Sequence, residues 1–263
     1  ALVTGASAGI GAEFCRQLAA RGYNLVLVAR REDRLQELAD ELRQACDADS
    51  LVITADLSQH GASREIVARL DTEGIDVEYL VNNAGYGLPG SFHVPDWGEH
   101  ADFIQVMVTA VCELTWLLLR GMQERKRGFI VNVASVAGLV DSTGAGHTLY
   151  GASKSFLVRF SEALALENWR KGVKITALCP GFTHSEFHDV NNTREMISKL
   201  PAYLWLRSED VVADCLGAME MERVKPVVVP GKQYKLMVFI SRYLPWLARM
   251  NTRKLAKHFR VAD

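Results

Sequence analysis

The strongest constraint on this chain is an alternation that runs from residue 1 to about residue 229. Short runs apolar on both faces are each followed by a stretch with helical spacing. The runs are Ala1–Val3, Asn24–Ala29 (NLVLVA), Leu51–Ala55 (LVITA), Val77–Asn82 (VEYLVN), Gly128–Val133 (GFIVNV), Val173–Cys179 (VKITALC) and Val227–Val229. Between them, Ile10–Ala20, Arg31–Cys46, Ala62–Asp71, Trp97–Arg125, Leu149–Arg170 and Asp210–Met221 carry apolar residues at helical spacing. Strands without a polar face need cover on both sides, and intervening helices supply it when the sheet is parallel. Right-handed crossovers then bring the strand ends to one rim, where open sheets of this kind bind ligands. The predicted fold is therefore α/β, a single doubly wound domain with a mostly parallel sheet and helices on both faces. At 263 residues and 49% hydrophobic, the chain can fill such a core.

Composition narrows the function classes. The formal net charge is −1, so nothing in the balance selects nucleic acid or an acidic partner. Five cysteines, Cys15, Cys46, Cys112, Cys179 and Cys215, form no Cys-x-x-Cys pair and no regular framework. That usage suits reduced thiols in a cytoplasmic protein. We read no signal peptide and no uninterrupted apolar stretch long enough for a bilayer. The chain begins on a core strand without a methionine, so residues before Ala1 are expected.

The turn after the first run reads TGASAGIG and places Gly5, Gly9 and Gly11 between a strand and a helix. Glycine weakens regular structure, so a cluster needs a reason. A glycine-rich turn lets backbone N–H groups at the positive end of a helix approach a phosphate; an ordinary tight turn is the alternative. The second run ends in VARRED. An acidic residue there would hold the 2′-hydroxyl of NAD, whereas Arg30 and Arg31 offer forked donors to the 2′-phosphate of NADP. YGASK puts Tyr150 and Lys154 four apart, on one face of a predicted helix. A neighbouring ammonium favours tyrosinate and would pull the phenol pKa toward neutral, making a usable proton donor. Ser135, just past FIVNV, can share hydrogen bonding to a substrate oxygen.

Six motifs follow one another: TGASAGIG, AD at Asp56, NNAG at Asn82–Gly85, NVAS at Ser135, YGASK, and CPG at Cys179–Gly181. Their order and spacing resemble the short-chain dehydrogenase/reductase family, in its shorter branch with TGxxxGxG and YxxxK motifs. The resemblance covers Ala1 to about Val229 and implies a Rossmann-like fold with NADP(H)-dependent hydride transfer on a carbonyl/alcohol substrate. It implies Tyr150 as general acid in reduction and base in oxidation. Lys154 would lower the Tyr150 pKa and hold the nicotinamide ribose, and Ser135 would polarise the carbonyl. Gly5, Ser7, Gly9, Ile10 and Gly11 would form the pyrophosphate turn, with Asp56 near adenine and Asn83, Ala84 and Gly85 beside the adenosine. Pro180, Gly181 and Thr183 would flank the nicotinamide. Residues 1–231 would thus be the dinucleotide-binding and catalytic domain, with 232–263 a basic amphipathic extension.

Two features depart from the family pattern. Members carry an asparagine in the long helix that holds a relay water, where QVMVTAV has Met107, on an apolar face with Phe103, Val111 and Leu114. The loop from Val136 to Leu149 is longer than usual, which makes Ser142 an alternative to Ser135. The segment at about 183–207 is irregular and rich in apolar residues, among them Phe187, Met196, Tyr203 and Trp205. It suits a substrate loop over a lipophilic carbonyl compound, or plain core packing. His184 and His188 sit four apart around Glu186, but the pattern is not His-Glu-x-x-His and no metal is expected. Beyond Lys232, Leu236, Phe239, Ile240, Tyr243 and Leu247 recur at helical spacing among lysines and arginines, and Pro245 is expected to split the helix. We expect that face to pack on the domain or on a second subunit, with an anionic membrane surface as the alternative. The leading reading is a cytoplasmic, homo-oligomeric NADP-dependent oxidoreductase. The alternative is a dinucleotide-binding regulatory or scaffold protein with little turnover, favoured by Met107.

Overall fold

A computed structural model describes residues 1–88, 90–140, 148–184 and 201–244. In chain order it contains β1 (Leu2–Thr4), α1 (Gly9–Ala19), β2 (Leu25–Ala29), α2 (Glu32–Cys46), β3 (Ser50–Thr54), α3 (Ala62–Thr72) and β4 (Tyr79–Asn82). Then come α4 (Trp97–Ile104), a π-helical turn (Gln105–Thr109), α5 (Ala110–Glu124), β5 (Gly128–Val133) and α6 (Thr148–Asn168). β6 (Val173–Leu178), α7 (Ser208–Glu220), β7 (Val227–Val228) and α8 (Lys232–Tyr243) complete the described elements.

The seven strands form one parallel sheet in the order β3-β2-β1-β4-β5-β6-β7. Alternate residues of one strand feed opposite layers. Val3 and Leu27 join Phe14, Leu18, Leu35 and Val211 on one face. Leu2, Val26 and Val28 join Ile66, Leu70, Leu114 and Met122 on the other. This two-sided burial is the physical reason the strands read as apolar runs. Chain order reverses between β1 and β4, so the loops leaving those two strands diverge and open a crevice at their carboxyl ends.

The helix predicted as unbroken from Trp97 to Arg125 is interrupted by the π-helical turn, at the centre of which lies Met107. The combined run Trp97–Glu124, 28 residues, is long and apolar enough to cross a membrane by length and composition, contrary to the reading that no stretch is. Its apolarity has a local cause: Phe103, Met107, Leu114 and Met122 are buried in the domain.

Candidate active site

The crevice between β1 and β4 is closed at its floor by one threonine and one asparagine. Thr4 Oγ1 accepts from the backbone N–H groups of Asn83 and Ala84, both at 3.0 Å. Asn83 Nδ2 donates to the carbonyls of Thr4 (3.0 Å) and Gly5 (3.2 Å). The glycines answer first to this arrangement. Gly5 has φ +65°, and a Cβ there would lie 2.8 Å from Asn83 Nδ2. A Cβ on Gly11 would lie 2.2 Å from the Gly5 carbonyl oxygen, so helix α1 could not approach the turn. The N-cap of α1 is Ala8, which makes no side-chain cap bond, and the first turn holds no acidic residue. Its leading N–H groups therefore point at space suited to an anion, next to Gly9 and Ile10.

The other residues expected on the adenosine side gather along the same rim. Arg31 donates to Ser7 Oγ through Nε (3.3 Å) and Nη2 (3.1 Å), which draws its guanidinium across the glycine turn. Arg30 is exposed at the end of β2. Asp56, just past β3, is half-buried and accepts from Ser58 N–H at 3.0 Å. Asn83, Ala84 and Gly85 leave β4 alongside. A cavity of about 330 Å³ opens beside Gly9 between α1 and the start of α7, bordered by Glu13, Arg16, His184 and Arg207.

Ser135, Tyr150 and Lys154 meet where β5 ends and α6 begins. The Tyr150 phenol and the Ser135 hydroxyl share a hydrogen bond. Ser135 Oγ also accepts from Ala137 N–H at 3.1 Å and reaches the Pro180 carbonyl at 3.5 Å. Lys154 is 5% exposed, donates to the Val133 carbonyl at 2.7 Å, and holds Nζ 5.6 Å from the centre of the Tyr150 ring. The expected lowering of the Tyr150 pKa is not what this geometry produces. Burial pushes the phenol up to about 12, and the Ser135 hydrogen bond opposes that only in part. Burial also lowers Lys154 to about 8. One of the lysine's three N–H donors goes to a backbone carbonyl, and desolvation dominates both groups. Cys179, buried close by, is pushed up to about 12 for the same reason.

The opposite wall is the segment after β6. The Pro180 carbonyl accepts from Val136 N–H at 3.0 Å, and Thr183, itself buried, donates to the Gly181 carbonyl at 3.0 Å. Thr183 pairs with Leu206 across the base of the 183–207 segment. Tyr234, from α8, binds both feet of that segment: its hydroxyl accepts from Phe182 N–H at 2.9 Å and donates to the Leu204 carbonyl at 2.5 Å. Its ring fills the place a side chain on residue 181 would need. His184 stacks on Trp205 with ring centroids 4.7 Å apart, while His188, Glu186, Ser142 and the apolar residues 187–200 lie outside the described residues.

Met107 is 1% exposed and lies over Gly85, where its Sδ would be 2.9 Å from a Cβ. It fills space instead of offering a polar atom. Behind it, Asn82 Nδ2 donates to Asn132 Oδ1 (2.8 Å) and Thr115 Oγ1 (3.2 Å), and Asn132 Nδ2 donates to Ser161 Oγ (2.9 Å). This buried polar chain ties β4, β5, α5 and α6 together under the site. Sequence reading missed it, together with Thr4 and Tyr234. Thr4 sits inside a quoted motif and could have been found there; Tyr234 has no local signal at all.

The short chain dehydrogenase family model matches residues 1–196. The chain is 34% identical over 195 residues to a very-long-chain 3-oxoacyl-CoA reductase of Anas platyrhynchos, covering 73% of this chain and 62% of that protein. It is 34% identical over 182 residues to a 7beta-hydroxysteroid dehydrogenase of Collinsella aerofaciens, covering 69% of this chain and 68% of that protein. A solved short-chain dehydrogenase from Sphingobium yanoikuyae in complex with NADPH superposes with a TM-score of 0.81 at 27% identity, covering 100% of this chain and 98% of that one. Fold, glycine turn and match agree: the chain belongs to the short-chain dehydrogenase family of oxidoreductases.

Proposed function

We propose that the chain is an NADP(H)-dependent oxidoreductase acting on a lipophilic carbonyl/alcohol substrate. The observation that carries this reading is the shared Ser135–Tyr150 hydrogen bond beside buried Lys154, at the carboxyl edge of the sheet. A second support is the uncapped start of α1 beneath a guanidinium held on Ser7. The nicotinamide, when bound, supplies or accepts the hydride. Gly5, Ser7, Gly9, Ile10 and Gly11 would hold its pyrophosphate, Arg30 and Arg31 its 2′-phosphate, and Asp56 with Asn83–Gly85 its adenosine. Lys154 and Tyr150 would hold the second ribose, and Pro180, Gly181 and Thr183 would border the ring.

In reduction, Ser135 orients the carbonyl oxygen and Tyr150 gives it a proton as negative charge develops. A phenol with a pKa near 12 is protonated at neutral pH, which is the form this direction needs. Oxidation needs the tyrosinate, which becomes more available as pH rises toward about 12. The lipophilic substrate is supported by the apolar 183–207 segment and by relatives named for very-long-chain 3-oxoacyl-CoA and for hydroxysteroids. NADP is supported by Arg31 on Ser7 and by the relative solved with NADPH. We further propose 1–231 as the catalytic domain, 232–263 as its extension, assembly as a homo-oligomer, and a reducing cytoplasmic setting that suits five free thiols.

Tyr150→Phe tests the proposal. The ring stays and the proton donor goes, so NADPH binding persists while carbonyl reduction falls by roughly 10²–10⁴. Unchanged turnover would sink the assignment. The reading as a regulatory dinucleotide-binding protein, favoured by Met107 in place of a relay residue, expects no turnover to lose.

A further inference from the structure

Helix α8 turns its apolar stripe away from the domain. Tyr234 and Ser241 face inward and are 2% and 9% exposed, whereas Leu236, Phe239 and Tyr243 on the opposite side are 60%, 53% and 62% exposed. Their spacing, three and then four residues, makes one continuous stripe. Phe239 and Tyr243 pack ring against ring with centroids 4.8 Å apart. This differs from the expected packing of that face on the domain, because α8 is held by its polar side, through the Tyr234 hydroxyl. Lys232 lies on the stripe, and Lys235 and Arg242 line one flank.

Charge along the chain is segregated in the same way. Positions 232–263 hold eight lysines and arginines and a single acid, Asp263, a net +7. The chain total of −1 therefore leaves −8 on the preceding 231 residues. An outward apolar stripe with one basic flank is the pattern of a helix lying in a lipid headgroup layer, its aromatic rings at the boundary. A second copy of α8 is a poorer occupant. It would set Lys232, Lys235 and Arg242 against their own images, and one short helix face offers much less than the ~800 Å² per partner of a stable interface.

We propose that α8 docks on an anionic lipid surface, and that the bilayer beneath it delivers an apolar ketone to the candidate site whose wall Tyr234 holds. Placement supports the delivery. Tyr234 ties α8 to Phe182 and Leu204 beside the Pro180–Thr183 wall, so a membrane on the outer face of α8 lies one helix away from that wall. The lipid contact stands without the enzymatic reading; delivery rests on it.

The full chain is floated with vesicles of phosphatidylcholine, alone or mixed with phosphatidylserine, at low salt and at ~1 M salt, where screening reaches ~3 Å. Binding is expected only to the mixed vesicles at low salt. Lys232→Gln/Lys235→Gln/Arg242→Gln should lower it about 10²-fold, about fivefold per basic residue. Leu236→Ser/Phe239→Ser/Tyr243→Ser should abolish it. Each of these side chains is exposed and outside the proposed catalytic site, so turnover of a water-soluble ketone should stay unchanged and certify folding. Absence of wild-type binding overturns the proposal, as does equal binding to neutral vesicles, or a fall in oligomer mass on serine substitution without lipid binding. With a ketone dissolved in the vesicles, the serine variant should show an apparent KM about tenfold higher; an equal KM overturns delivery. If no protein turns over the soluble ketone, the carbonyl reading has failed, and the flotation result decides the lipid contact alone.

Discussion

Tyr234→Phe isolates one hydroxyl that holds the site wall in place. The ring still packs on Gly181, but Phe182 N–H and the Leu204 carbonyl both lose their partner. Both residues are half-buried, so the cost falls at the low end of the range for an orphaned polar group, about 1 kcal/mol each. The sum, about 2 kcal/mol, is large against a typical stability of about 5–15 kcal/mol. For a chain of this size it lowers Tm by roughly 4–8 °C. Scanning calorimetry measures that shift. Steady-state kinetics on a soluble ketone separates the effects further: Tyr234 holds the segment after β6 rather than the Ser135–Tyr150 pair, so KM should rise more than kcat falls. An unchanged melting temperature would refute the clamp, and a loss confined to kcat would show that Tyr234 acts on the chemistry directly.

Gly11→Ala places a Cβ 2.2 Å from the Gly5 carbonyl, so the turn must open; stability should fall by about 1–3 kcal/mol and NADPH titration should weaken together with it. Met107→Asn buries an amide where a thioether filled space over Gly85, and chemical denaturation should show a loss of about 2 kcal/mol. Arg31→Ala removes the guanidinium from Ser7 and should cut the preference for NADPH over NADH about tenfold, read by titrating both cofactors; an unchanged ratio would defeat the 2′-phosphate assignment. With the Tyr150 pKa raised to about 12, initial rates of ketone reduction should hold through neutral pH, and alcohol oxidation should rise as pH rises toward that value.

The extent to which the site was legible follows from which interactions are local. Tyr150 and Lys154 share a helix, and Gly5, Gly9 and Gly11 share a turn, so spacing alone placed each set. Sequence position favours Arg30 for the 2′-phosphate, with Arg31 as its neighbour, but among the described residues it is Arg31 that donates to Ser7, because that contact depends on how β2 sits beside the glycine turn. The lysine was expected to lower the tyrosine pKa on adjacency alone. In the folded chain one Lys154 N–H is donated to the carbonyl of Val133 on β5, and burial raises the tyrosine pKa. The spacing of residues 232–243 marked an amphipathic helix but not its orientation. A stripe facing inward and one facing outward have the same periodicity, and the Tyr234 hydroxyl made the choice.

What the sequence determined by itself is the set of features with short range: runs apolar on both faces, hence strands needing cover, hence a parallel sheet, and six motifs in a family's order. What the tertiary structure alone decided is everything that depends on two distant segments meeting. Thr4 against Asn83, Asn82 against Asn132, and Tyr234 against Phe182 and Leu204 are such meetings. Each pairs polar groups whose partners lie tens of residues away, and no local pattern encodes a hydrogen bond that exists only once the sheet has assembled.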